Sequence, residues 1–309
     1  MDKITIYQFT DPICVWSWGN EPVMRAIDFL YGDKVNTEYI MGGLVEDIST
    51  LYDIKAPKED VIQRANAIIA KNWNDASKRH GMPVITDNFP FFTERYPSSF
   101  PQNIAYEAAK RINSKQAKLF LRFMRETTFT MRHRTSQIDV LLNLASKAGF
   151  DASTFIDEYT IGHAQTSFNH DRMVCRRNGI TGFPSYLIKN DDTNIIIGGY
   201  QNLSTFHTVI NRLSAGRIKP RRIGPSKHNV IDFVSKYEYV YPVEIEVVFG
   251  LDRHQTSLII SELISSNQLT SEVVGNSYRL MIPASQSAKH QLRKNSPQNK
   301  ITSKRLIEV

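Results

Sequence analysis

The sequence predicts an α/β fold in which a mixed sheet carries a large helical insertion, followed by a smaller domain of helices and a hairpin. Three observations lead there. The first 41 residues read strand, helix, strand; the stretch from Pro57 to about Asn178 is almost wholly helical in its periodicity; and Gly182-Phe183-Pro184-Ser185 feeds a pair of strands.

Residues 3–10 alternate through Ile4, Ile6, Gln8 and Thr10, the period of a strand. Pro22 through Tyr31 then places Val23, Met24, Ile27 and Leu30 at helical spacing, and Gly32-Asp33 stops that helix. Val35 to Met41 is the second strand, which closes a right-handed parallel βαβ unit before Gly42-Gly43 breaks it. Within the insertion, over about 57–178, four apolar stripes mark helices: Val61, Ala65, Ile68, Ile69; Ile104, Ala105, Ala108, Ile112; Leu119, Phe120, Phe123, Met124; and Ile138, Leu141, Leu142, Ala145. A fifth helix is expected from near Ser153 and a sixth from near Ser167. Residues 83–101, rich in proline and aromatic side chains, read as a loop at the rim of the helical block. After Pro184, Ser185–Lys189 and Ile195–Ile197 form a hairpin about Asn190-Asp191-Asp192, and a helix over Ser204–Leu213 completes a first domain spanning 1–215.

Residues 216–227, with Pro220, Gly224 and Pro225, make a basic linker. Helices are expected over Val230–Tyr237, Pro242–Phe249 and Thr256–Ser265, then a hairpin of Leu269–Val274 and Tyr278–Ile282 turning at Gly275-Asn276-Ser277. Three short helices and a hairpin over 228–283 resemble a winged-helix domain. Residues 284–309 read as a basic, disordered tail.

Composition narrows the class. With 41% hydrophobic and 22% charged residues the chain is ordinary globular protein, and none of its apolar runs is long enough for a membrane span. Met1-Asp2-Lys3 passes straight into the first strand without an apolar leader, and two cysteines in 309 residues suit a reducing compartment, so a cytoplasmic location is expected. The net charge of +7 sits mainly in the segment Arg212–Arg222 and in the tail, leaving the body mildly acidic. Solvated flexible segments account for such charge, and the expected third helix of the small domain, carrying Glu262 and few basic side chains, makes a poor phosphate-contacting face.

Cys14 carries the chemistry. It stands between the first strand and a helix, in Asp11-Pro12-Ile13-Cys14-Val15-Trp16-Ser17-Trp18-Gly19, where helix-terminal N–H groups are expected to lower its pKa and make it a nucleophile. The spacing is that of Cys-x-x-Cys with Ser17 in the fourth place, so one thiol of a dithiol is lost and Ser17 is left to donate a hydrogen bond. A lone cysteine is otherwise a small buried hydrophobe, the role expected of Cys175. Trp16 is expected to shape an apolar groove beside the thiol and Trp18 to belong to the core. His163 and His170, two helical turns apart, are too distant to share one metal ion, and no metal site is expected.

Together, Asp-Pro-x-Cys-x-Trp-x-Trp-Gly, Met41-Gly42-Gly43-Leu44 and Gly-Phe-Pro-Ser resemble the thioredoxin superfamily, and within it the cytoplasmic DsbA-like (FrnE-like) disulfide isomerases, over roughly residues 3–214. That resemblance implies a cis peptide bond before Pro184, facing Cys14, with Phe183 and Pro184 docking an extended substrate segment. It implies a thiol–disulfide oxidoreductase or isomerase working by a monothiol route, Cys14 exchanging with a protein thiol or with glutathione and no other cofactor. The segments Asp232–Val240 and Glu244–Phe249 are similar to the end domain of the YjbH family, adaptors that present the regulator Spx to the ClpXP protease. This second resemblance implies a binding protein whose partner is a regulatory protein.

Overall fold

The computed structural model describes residues 3–52, 55–237 and 239–284; apart from Ala284, the tail expected over 284–309 lies outside the described residues. The chain divides into two compact units between Arg221 and Arg222.

In the first unit, β1 (Ile4–Thr10) leads to a five-residue helix α1 (Val15–Gly19), then α2 (Glu21–Tyr31) and β2 (Val35–Met41). Pro22 separates the two helices: it lacks an N–H for the Trp18 carbonyl and suits the first turn of a new helix, which Asn20 opens. The insertion follows as α3 (Ile48–Leu51), α4 (Lys58–His80), α5 (Phe100–Ile112), α6 (Ser114–Thr130), α7 (Ile138–Lys147), α8 (Ala152–Thr160) and α9 (His163–Arg177). The unit closes with β3 (Ser185–Lys189), β4 (Asn194–Gly198) and α10 (Leu203–Leu213). Strand order is β2-β1-β3-β4, with β1 parallel to β2 and antiparallel to β3. This is a thioredoxin-like sheet with a DsbA-like helical block between its two halves.

Two expectations need correcting. The last insertion helix begins at His163, a turn before Ser167, where Gly162 at φ 97° lets the chain reverse. Four residues assigned to apolar stripes, Ile68, Ile112, Leu119 and Ile138, are more than a third exposed. On α4 the buried line runs Val61, Ala65, Ile69 and Trp73, a four-residue step that turns Ile68 about 100° away from it. The loop over 83–101 covers the core with Phe91 and Phe92, both buried, and also reaches the site described below through Ser99.

The second unit contains α11 (Lys227–Lys236), β5 (Tyr239–Val240), α12 (Pro242–Phe249), α13 (Arg253–Ser265), β6 (Thr270–Val274) and β7 (Ser277–Met281). Its sheet order, β5-β7-β6, gives a winged-helix-like arrangement around Val230, Phe233, Ile245, Leu263 and Leu280. The Glu244 carboxylate, fully buried, accepts the Tyr241 N–H at 2.8 Å and so starts α12. Strand β5, two residues long, is too short to carry an alternation signal in sequence.

Candidate functional site

The turn after β1 is built by Asp11. Its side chain accepts the Ile13 N–H at 2.9 Å while its carbonyl accepts the Cys14 N–H at 3.1 Å, which sets Cys14 at the start of α1. The same carboxyl receives Leu44 N–H (2.7 Å), Ser99 Oγ (2.8 Å) and Asn103 Nδ2 (2.7 Å), tying the β2–α3 loop, the 83–101 loop and α5 to one point. Burial nonetheless pushes the Asp11 pKa up, against the pull of these donors.

Cys14 and the peptide bond before Pro184 are brought together. The Phe183–Pro184 bond is cis, and the Cys14 thiol donates to the Phe183 carbonyl at 3.3 Å. The Phe183 ring lies where a Cβ on Gly42 would be, 1.9 Å from its Cζ, so only glycine fits there. The Gly42 N–H in turn donates to the Thr10 carbonyl at 2.8 Å. Gly43, at φ 73°, leaves room for Phe100 and Phe168, which explains both glycines of Met41-Gly42-Gly43-Leu44.

The pKa of the sulfur shifts in the direction opposite to the one the sequence suggests. Cys14 is only 4% exposed, and burial raises its pKa above the ordinary cysteine value; Ser17 and Arg125 pull it down, and Asp11 adds to the rise. Burial is the largest cause: the sulfur is cut off from water, and the carbonyl facing it, from a segment far away in sequence, accepts a proton that only a neutral thiol carries.

Ser17 is fully buried and points inward. Its hydroxyl accepts from Thr10 Oγ1 at 2.8 Å, and Thr10 accepts from Arg125 Nη2 at 2.6 Å. Arg125, fully buried on α6, is paired through Nη1 with Glu21, which also lies 3.6 Å from Arg122. Arg122 covers the Trp18 ring at 4.5 Å. A charged relay thus runs under the thiol from α2 through α6 to β1 and α1. Sequence reasoning missed Glu21, Arg125, Thr10 and Asp11, because the partners are about a hundred residues apart and no local spacing announces them.

Trp16, half-buried, forms the outer rim with Tyr200 and packs on the buried His80, each ring centre 6.0 Å away, with the Arg79 guanidinium 5.6 Å from its centre. Asn20 fixes that rim by exchanging two hydrogen bonds with the Gln201 backbone, at 2.7 and 3.0 Å. Trp18 is core, its Nε1 donating to the Pro83 carbonyl at 2.9 Å. Cys175 is a buried free thiol with its pKa pushed up to about 12 by burial. His163 and His170 have exposed side chains, and among the described residues no group of three or more His, Cys, Asp or Glu is arranged to hold a metal. No helix among them is long and apolar enough to cross a membrane.

The sequence model of a family described as thioredoxin matches residues 7–208. Curated proteins named ClpXP adapter protein SpxH are similar over most of the chain. The one from Halalkalibacterium halodurans is 24% identical over 86% of this chain and 84% of its own length. Its counterpart from Bacillus subtilis is 21% identical over 84% and 83%. Such coverage exceeds what the first unit alone supplies, so the similarity continues into the second. Among solved structures, one from Nitrosomonas europaea, provisionally assigned as a protein disulfide isomerase, aligns with a TM-score of 0.59 at 18% identity, covering 70% of this chain and 99% of its own. The cytosolic disulfide reductase DsbM from Pseudomonas aeruginosa aligns at 0.50 with 20% identity, covering 63% and 89%.

Proposed function

The chain belongs to the thioredoxin family over residues 7–208, and from that premise we propose that it works as an adaptor, presenting a regulatory protein of the Spx type to the ClpXP protease. One observation carries this reading: the family's reactive position is closed. Cys14 is buried against the Phe183 carbonyl with its pKa raised by that burial, its fourth-position partner is Ser17, and Cys175 is a separate buried thiol. Exchange chemistry needs a thiolate and an accessible sulfur, and both are disfavoured here. The similarity to SpxH adapters over both units supports the same conclusion. In this reading the Asp11 anchor and the buried Glu21–Arg125 relay underlie a rigid surface, and Trp16 and Phe183, the latter set by the buried Pro184, belong to the face that receives the partner.

A monothiol exchange reading, with a protein thiol or glutathione as partner, draws on the Cys14–Phe183 juxtaposition. It requires the thiol to leave its carbonyl and meet solvent, and Arg125 and Ser17 would then stabilise the thiolate. The two readings part on one substitution. In a reconstituted degradation assay with ClpXP and an Spx-type regulator, the chain is expected to accelerate proteolysis, and Cys14→Ser is expected to do so at the same rate. Loss of acceleration in a folded Cys14→Ser protein, together with turnover of a glutathione mixed disulfide by the wild type, would establish exchange chemistry instead.

A further inference from the structure

Strand β4 ends the first sheet, and among the described residues no strand pairs with its outer side. Its pairing with β3 decides which groups face out. Gly199 N–H donates to the Pro184 carbonyl at 2.7 Å and Asn190 N–H to the Thr193 carbonyl at 3.1 Å. With Ile197 opposite Tyr186 and Ile195 opposite Ile188, residues 193, 195, 197 and 199 turn their backbone groups toward β3. Asn194, Ile196 and Gly198 therefore direct theirs away from the sheet. Of these outward groups, among the described residues, the Gly198 carbonyl alone has a partner, Gln201 Nε2 at 2.6 Å.

Edge strands that must stay single are usually protected by a charge, a proline or a bulge. Asn194-Ile195-Ile196-Ile197-Gly198 has none of these, and Ile196 is 46% exposed at its centre.

We propose that β4 pairs antiparallel with β4 of a second copy of this chain, about a two-fold axis through Ile196, so that the two sheets become continuous. The strand is self-complementary in that register. Ile196 faces Ile196 of the second copy, and Asn194 of each copy lies opposite Gly198 of the other. The turn carrying Asp191 and Asp192 then comes beside the Tyr200 end of the other strand, so the carboxylates avoid one another; a parallel pairing would set them side by side. A five-residue ladder is a small interface, and the association is accordingly weak and concentration-dependent.

Sedimentation of the full chain from low micromolar to about 1 mM tests this directly. The wild type is expected to pass from monomer to dimer across that range, and Ile196→Lys, a change at an exposed position, to stay monomeric with unchanged circular dichroism. Register is read by single-cysteine cross-linking under copper phenanthroline in air: Ile196→Cys is expected to give a disulfide dimer and Asn194→Cys not, since residue 194 faces 198 across the axis. Wild type that remains monomeric throughout would leave the edge to a strand of another protein and overturn the proposal. A dimer that persists in Ile196→Lys, or cross-linking at 194 as efficient as at 196, overturns it as well.

Discussion

Replacing Glu21 by alanine is expected to cost the first unit about 3–5 kcal/mol, the usual penalty for stranding a buried charge. Glu21 is 6% exposed, and its carboxylate faces Arg125, fully buried, and Arg122, 3% exposed. Without it the Arg125 guanidinium keeps Thr10 as a partner and loses its counter-charge. Acid should erase the difference. Burial acts to raise the Glu21 pKa, but Arg125, Arg122 and Arg25 outweigh it and hold the folded carboxyl below its ordinary 4.5. A depressed folded value means that this stabilisation is complete above pH 4.5 and is lost as pH falls through the lower folded value. All three tryptophans, Trp16, Trp18 and Trp73, lie in the first unit, so urea unfolding followed by fluorescence reports on that unit alone. A loss under about 1 kcal/mol at pH 7 would mean that the pair is solvated like a surface salt bridge.

His80 is expected to make the first unit lose about 3 kcal/mol of stability between pH 6.5 and pH 4. The imidazole is 3% exposed at the end of α4 and packs against Gly19, where a Cβ would lie 2.3 Å from its Cδ2. Its Nδ1 accepts the Met82 N–H at 3.1 Å, which leaves the ring proton on Nε2 and no lone pair free for a second. Burial pushes the pKa from 6.5 down to about 4. As pH falls through 6.5 the unfolded chain binds a proton that the folded one refuses, so stability declines until about pH 4 and then levels. Glu107 acts oppositely in the same window: burial and the adjacent Asp171 raise its pKa to about 7, so the folded state takes up a proton first and gains stability. The informative quantity is therefore the difference between wild type and His80→Leu, whose own stability should lack the downward slope. Parallel pH profiles for the two proteins would assign the slope to another group.

Much of this fold is legible because its signals are local. The βαβ start, the hairpin after Pro184 and α12 follow from alternation, helical spacing and the placement of glycine and proline. The resemblance to the thioredoxin superfamily implied that Cys14 and Pro184 would face each other, and the turn after β1 and the start of β3 do meet at the end of one sheet. What escaped was long-range. The raised pKa of Cys14 depends on how completely the sulfur is covered by segments far away in sequence. Arg122 and Arg125 sit on a helix whose apolar stripe gave no reason to place guanidiniums inside; only the approach of Glu21 from α2 makes that tolerable. Asp11 was visible as part of a motif, whereas its role as the anchor for three segments was not.

The central claim is that the thiol at position 14 is a sheltered, protonated group on a docking module. Alkylation of Cys14 by iodoacetamide as a function of pH, followed by mass spectrometry with Cys175 as the internal reference, tests it most directly. Slow modification that accelerates only above the pH at which a free thiol ionises is the predicted result. Rapid modification with a midpoint below neutrality would contradict it, and would mark Cys14 as an activated nucleophile open to solvent.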